Sequence, residues 1–96
     1  MIAMNERIRI RDHLLKVLTD ATKERGKRLE WIGTEPAWSI HERNRMLRAV
    51  NDLRMVRGKT DVAIDDIKAV ERTASGHSDY AGKFALYCTE LVLDYP

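Results

Sequence analysis

Arginine dominates the chemistry open to this sequence of 96 residues. Arg7, Arg9 and Arg11 alternate near the start, and Lys16, Lys23, Arg25, Lys27 and Arg28 follow. A second group, Arg43, Arg45, Arg48, Arg54 and Arg57, is joined by Lys59. A guanidinium presents its N–H groups as a flat fork, so it grips phosphate or carboxylate through two bonds at once. Arg45 and Arg48 stand with Asn44 and Asn51 away from the apolar Met46–Leu53 face, which points all four to solvent. Arginine beside asparagine contacts phosphates and reads guanine and adenine edges. On this reading Arg7, Arg9, Arg11, Arg45 and Arg48 form a nucleic-acid-binding surface. The competing reading is charge matching within the chain. Glu6, Asp12, Asp20, Glu24, Glu42 and Asp52 are interspersed, and several stand three or four residues from a base, as Asp12 does from Lys16.

The other reactive side chains do not converge. His13, His41 and His77 have no second His, and Cys88 stands at no metal-ligand spacing from them. A structural zinc site normally needs four ligands, so neither a metal nor a cofactor is expected. Ser39 lies close to His41, and Ser78 lies between His77 and Asp79, but neighbouring side chains diverge and adjacency is not triad geometry. Cys88 falls on an inner apolar stripe, where thiols are inert. The five glycines are isolated, so no phosphate-cradling loop exists. Asp65 and Asp66 open a helix, where acids offset the positive end of its dipole. No catalytic residue is assigned, and the chain reads as non-enzymatic.

Four helical segments must position these groups. The first spans about Ala3 to Arg25, with Ile10, Leu14, Val17, Leu18 and Ala21 on one face and Gly26 as its stop. The second runs from about Ser39, or from as early as Glu35 because Pro36 is tolerated in a first turn, to Arg57; Ser39 and Glu42 have capping-box spacing and Gly58 ends it. The third covers about Ala63 to Ala74, with Ile64, Ile67 and Val70 inward. The fourth runs from about Ser78 to Asp94, capped by Ser78 or Asp79. Leu29–Ile32 and Val62–Ile64 alternate in a way that suits either a minimal two-stranded ribbon or plain linkers. The expected fold is all-α, a compact four-helix domain over residues 1–96.

The fourth segment is apolar on two sides. Tyr80, Phe84, Tyr87, Cys88, Leu91 and Tyr95 define one face; Gly82, Leu86, Thr89 and Leu93 lie roughly opposite. Such a helix is either the centre of its own bundle or packs on a second copy through close-approaching small residues. The second stripe makes Gly82, Leu86, Thr89 and Leu93 a candidate homodimer interface. A helix-turn-helix across Asp66–Phe84 would read DNA with Asp79, Lys83, Leu86 and Glu90, a near-neutral face poorly suited to phosphate. Trp31 and Trp38 would anchor a partner if exposed, but a core with a single Phe must draw on its tryptophans.

Composition bounds the rest. Hydrophobic residues make up 44% and charged residues 33%, which describes a globular chain rather than a disordered one. Net charge is +2, yet residues 1–60 hold 14 Lys/Arg against 8 Asp/Glu, and residues 61–96 hold 3 against 7. The first part is therefore +6 and the second −4, which gives a basic side able to attract anionic partners. A single cysteine suits a reducing compartment. No stretch reaches the roughly 20 apolar residues of a membrane span, and the early charges leave no signal-peptide core. A cytoplasmic protein without membrane partners is expected.

One resemblance adds context. Asp66-Ile-x-x-Val70-Glu, Gly76-His-x-Asp79-Tyr80 and Lys83-Phe84-Ala-Leu-Tyr87-Cys88 are similar to small uncharacterised phage and prophage proteins. The likeness covers about a third of the chain and carries no functional residue. It implies action by binding, in a host cytoplasm, to a host or phage protein or to nucleic acid. The first expectation is a regulatory protein binding a protein partner, with homodimerisation through the fourth helix; the alternative is a DNA- or RNA-binding module.

Overall fold

A computed structural model describes residues 4–26 and 38–96. Its described residues form α1 (Met4–Glu24), α2 (Ile40–Val56), α3 (Ile64–Ala74) and α4 (Tyr80–Leu93), with no strand among them. The all-α four-helix domain is as the periodicities indicate. In α1, Ile10, Leu14, Leu18 and Ala21 are buried, as residues recurring every three or four positions on one face should be. Met46, Ala49 and Val50 do the same for α2, and Ile67 and Ala74 for α3.

Local chemistry sets the ends. Ser39 caps α2 by accepting from the Glu42 amide. Only half of the capping box forms, because the Glu42 carboxylate turns to Arg25 and to the Ser39 hydroxyl instead. Gly58, at φ 71°, closes α2: its N–H donates to Met55 O at 3.0 Å and that of Lys59 to Arg54 O at 3.0 Å. This is the Schellman arrangement, and it needs a residue at ease in the left-handed region. At α3 the Asp66 carboxylate accepts from the Ala63 amide at 2.9 Å. Asp79 caps α4, accepting from the Gly82 amide at 3.2 Å.

The ribbon is replaced by something else. Leu29–Ile32 lies outside the described residues. Val62 pairs with no strand: Asn51 Oδ1 accepts from its amide at 2.8 Å and Asn51 Nδ2 donates to its carbonyl at 3.2 Å. Ile64 is already the first residue of α3.

Helix α4 is the centre of the bundle and touches α1, α2 and α3. Its second stripe serves this role. Thr89 is fully buried and donates its hydroxyl to Ala85 O at 2.8 Å, and Leu93 is only 9% exposed. At Gly82 the three atoms nearest to a Cβ would all belong to the Asp79 carboxylate that caps the turn, and none to another helix. Leu86 is half-buried. A second copy would therefore find Leu86 and Gly82 but not Thr89 and Leu93, which the subunit already covers. On the first face Trp38, buried, stacks on Tyr80 and Phe84 at ring-centroid distances of 5.0 and 5.8 Å. Trp31 lies outside the described residues.

Three charged side chains are buried with this core: Glu42, Arg54 and Glu71. Arg54, on α2, donates to Thr60 O at 2.8 Å, Leu91 O at 2.6 Å, Tyr95 O at 3.0 Å and Pro96 O at 2.6 Å. Lys59 Nζ adds bonds to Val92, Leu93 and Tyr95 carbonyls. Both cations thus satisfy the carbonyls at the negative end of the α4 dipole. Glu71 accepts from the Trp38 amide at 2.9 Å and from Arg43 Nη2 at 2.9 Å.

Arg54→Leu should cost about 3 kcal/mol, the scale for removing one member of a buried charged hydrogen-bond set, read as a lower urea midpoint. A second expectation concerns alkaline pH. Burial, and then the nearby Glu71 charge, pushes the Tyr80 hydroxyl from its ordinary 10 to about 12. The neutral phenol is therefore favoured by folding: its contribution is full below pH 10 and is lost as pH rises through about 12. The hydroxyl has no hydrogen-bond partner among the described residues. Tyr80→Phe should accordingly leave stability at neutral pH intact and lessen its loss above pH 10, as urea melts across that range would show.

Candidate functional site

Helices α1 and α2 lie side by side and run in opposite directions. Arg57 pairs with Glu6 at one end, and Arg45 and His41 reach Glu24 at the other. Between the two helices, on the outer side, runs a groove made of two adjoining depressions of about 420 and 450 Å³. Six residues of α1 line it: Asn5, Arg9, His13 and Val17 at every fourth position, with Glu6 and Ile10 beside them. Helix α2 contributes Arg45, Arg48, Ala49, Asp52, Leu53 and Val56, with Arg57 just beyond it. His13 and Leu53 border both depressions and make them continuous.

The floor is apolar. Val17 and Leu53 are half-buried, Ala49 is buried, and Val56 is 78% exposed. The walls carry charge, and its availability differs from residue to residue. Arg57 is held by Glu6. Arg45 is held by Glu24 at 2.8 Å. The Glu24 carboxyl is kept below its ordinary range first by the His41 hydrogen bond and then by Arg45. Arg9 and Arg48 are exposed and have no ion-pair partner among the described residues. Asp52 is exposed in the same groove.

Of the five arginines singled out for nucleic acid, the structure brings Arg9, Arg45 and Arg48 into this groove and separates the other two. Arg7 faces the end of α4 and forks onto Asp94 at 3.3 and 3.4 Å. Arg11 pairs with Asp12 at 3.1 Å, so Lys16 turns to Asp20 instead. Asn44 is exposed, but Asn51 is withdrawn from any reading role because both ends of its amide bind Val62. His13, Leu53 and Val56 were not assigned to a site from sequence. The spacing Arg9–His13–Val17 carried the signal: residues four apart share a helix face.

The other chemical candidates are occupied elsewhere. His77 Nε2 meets the Tyr87 hydroxyl at 3.1 Å, and Asp79 caps α4. Cys88 is buried, and desolvation pushes its thiol pKa well up. Among the described residues no three His, Cys, Asp or Glu side chains gather as metal ligands. No described helix is long and apolar enough to cross a membrane. No family model matches the chain, and neither a curated protein nor a solved structure does.

The groove arginines and the internal ones should separate in a stability experiment. Arg9→Ala and Arg48→Ala remove exposed charges that have no ion pair among the described residues and should change unfolding free energy by less than about 0.5 kcal/mol. Arg43→Ala strips Glu71 of its cation in a buried pair and should cost about 2–4 kcal/mol. Urea titrations of the three variants would show both.

Proposed function

We propose that this chain is a small, non-catalytic regulatory protein that works by binding a macromolecular partner, and that the partner is a protein. The observation that carries this reading is the α1–α2 groove, whose wetted apolar floor of Val17, Leu53 and Val56 lies between charged walls. A contiguous apolar strip with a polar rim is how protein interfaces are built. We take that partner to be a host or phage protein, as the resemblance read from residues 66–88 implies.

Arg9 and Arg48 also suit phosphate, which keeps nucleic acid as the second reading. It is the weaker one. A phosphate backbone gains nothing from an apolar floor, and two open guanidinium groups offer few of the contacts on which backbone binding depends.

Affinity capture from host lysate tests the choice. With nuclease present, the wild-type chain should retain a protein that a Val56→Asp variant loses, while circular dichroism shows the variant folded. Retention abolished by nuclease, together with a band shift on duplex DNA or RNA that weakens steeply with salt, would replace the protein reading with the nucleic-acid one.

A further inference from the structure

We propose that the segment seated in the α1–α2 groove is an acidic amphipathic helix of the partner; this rests on the protein-binding reading above. The lining residues of α1 run from Asn5 to Val17, a length of about 18 Å at 1.5 Å per residue, which accommodates about three turns of a docked helix. Two antiparallel helices leave between them a channel flanked by ridges of side chains, and a third helix packs into it ridge against groove. A peptide added as a β-strand needs an open sheet edge, and none exists among the described residues. A helix satisfies its own backbone and needs only a side-chain surface.

Charge decides the composition of that helix. The groove is lined by Arg9, Arg45, Arg48 and Arg57 against Glu6 and Asp52. Arg57 and Arg45 already hold Glu6 and Glu24. What remains open is Arg9 on α1, lining one depression, and Arg48 and Asp52 on α2, lining the other, so that open cations outnumber the open carboxylate two to one along the apolar floor. The complement is a leucine-type stripe flanked on both sides by carboxylates. Each carboxylate would find a guanidinium with no competing partner, and the fork geometry favours two bonds to it. A basic helix would place like charges against both walls.

The test uses the full chain and defined probes. Two synthetic helical peptides about 16 residues long share one leucine stripe; one carries glutamates on its flanks and the other lysines. Each is titrated by fluorescence anisotropy beside a short DNA duplex, and amide shifts of the labelled protein locate the binding. The glutamate peptide should bind about tenfold or more tighter than the lysine peptide and shift the amides of Arg9, His13, Val17, Leu53 and Val56. The double variant Arg9→Glu, Arg48→Glu replaces exposed residues that have no ion pair among the described residues, so it should fold and reverse the preference. Equal binding of both peptides in the groove, or a preference untouched by the charge swap, overturns the acidic helix while leaving a protein partner in place. Failure of both peptides to shift groove amides also overturns it. Groove shifts produced by the duplex alone overturn it together with the protein reading.

Discussion

Glu42, Arg54 and Glu71 are held out of water and answered by neighbours on other segments, and the assembly of the helices depends on this. Removing such a charge from water costs several kcal/mol unless partners take the place of solvent. An apolar stripe tolerates a small slide of one helix along another, because methyl groups meet methyl groups in either register. A buried carboxylate does not, because its donors sit at fixed points. Glu42 requires Arg25 at the end of α1, Glu71 requires Arg43 and the Trp38 amide, and Arg54 requires the last carbonyls of α4. Helix α2 supplies Glu42, Arg43 and Arg54, so it holds all three of its neighbours in position.

The same interactions explain why so arginine-rich a chain has so small an open basic surface. Arg25, Arg43, Arg54 and Arg57 are engaged internally, and Arg7, Arg11 and Arg45 each face a carboxylate. The positive excess of the first sixty residues is thus partly absorbed by acids of the same helices, and partly by Glu71, Asp94 and the carbonyls of α4. Along the α1–α2 groove, what is left among the described residues is two guanidinium groups, Arg9 and Arg48, one in each depression. That pattern suits recognition of a shaped partner better than attraction to a polyanion.

Much of this was legible in the residues. Apolar spacing placed the four helices, Gly26 and Gly58 marked ends within a residue or two, and the structure chose Ser39 over Glu35 and Asp79 over Ser78 as the starts the residues had left open. The limits of that reading lie in interactions between distant parts of the chain. Nothing near Arg54 shows that it is buried, because three of its four acceptors lie more than thirty residues away in α4 and beyond. Asn51 looks like a solvent-facing reader until Val62 is seen beside it. Gly82 resembles a close-packing contact for another helix, yet the atoms nearest to a Cβ there belong to Asp79, three residues earlier. For the site, helix faces were readable, but which two faces would adjoin was not. Arg9 and Arg48 could be paired only once α1 and α2 were known to be antiparallel.

The Asn51–Val62 pairing has a consequence for motion. A peptide group in a loop normally exchanges its hydrogen with solvent almost freely, since nothing regular shields it. Here one side-chain amide substitutes for the missing strand, and Val62 is buried as well. Release of that hydrogen must await a departure of the asparagine from its seat, which ties a loop position to the opening of the α2–α3 corner rather than to local fraying. The corner thereby behaves as part of the rigid frame, and the two helices it joins move as a unit.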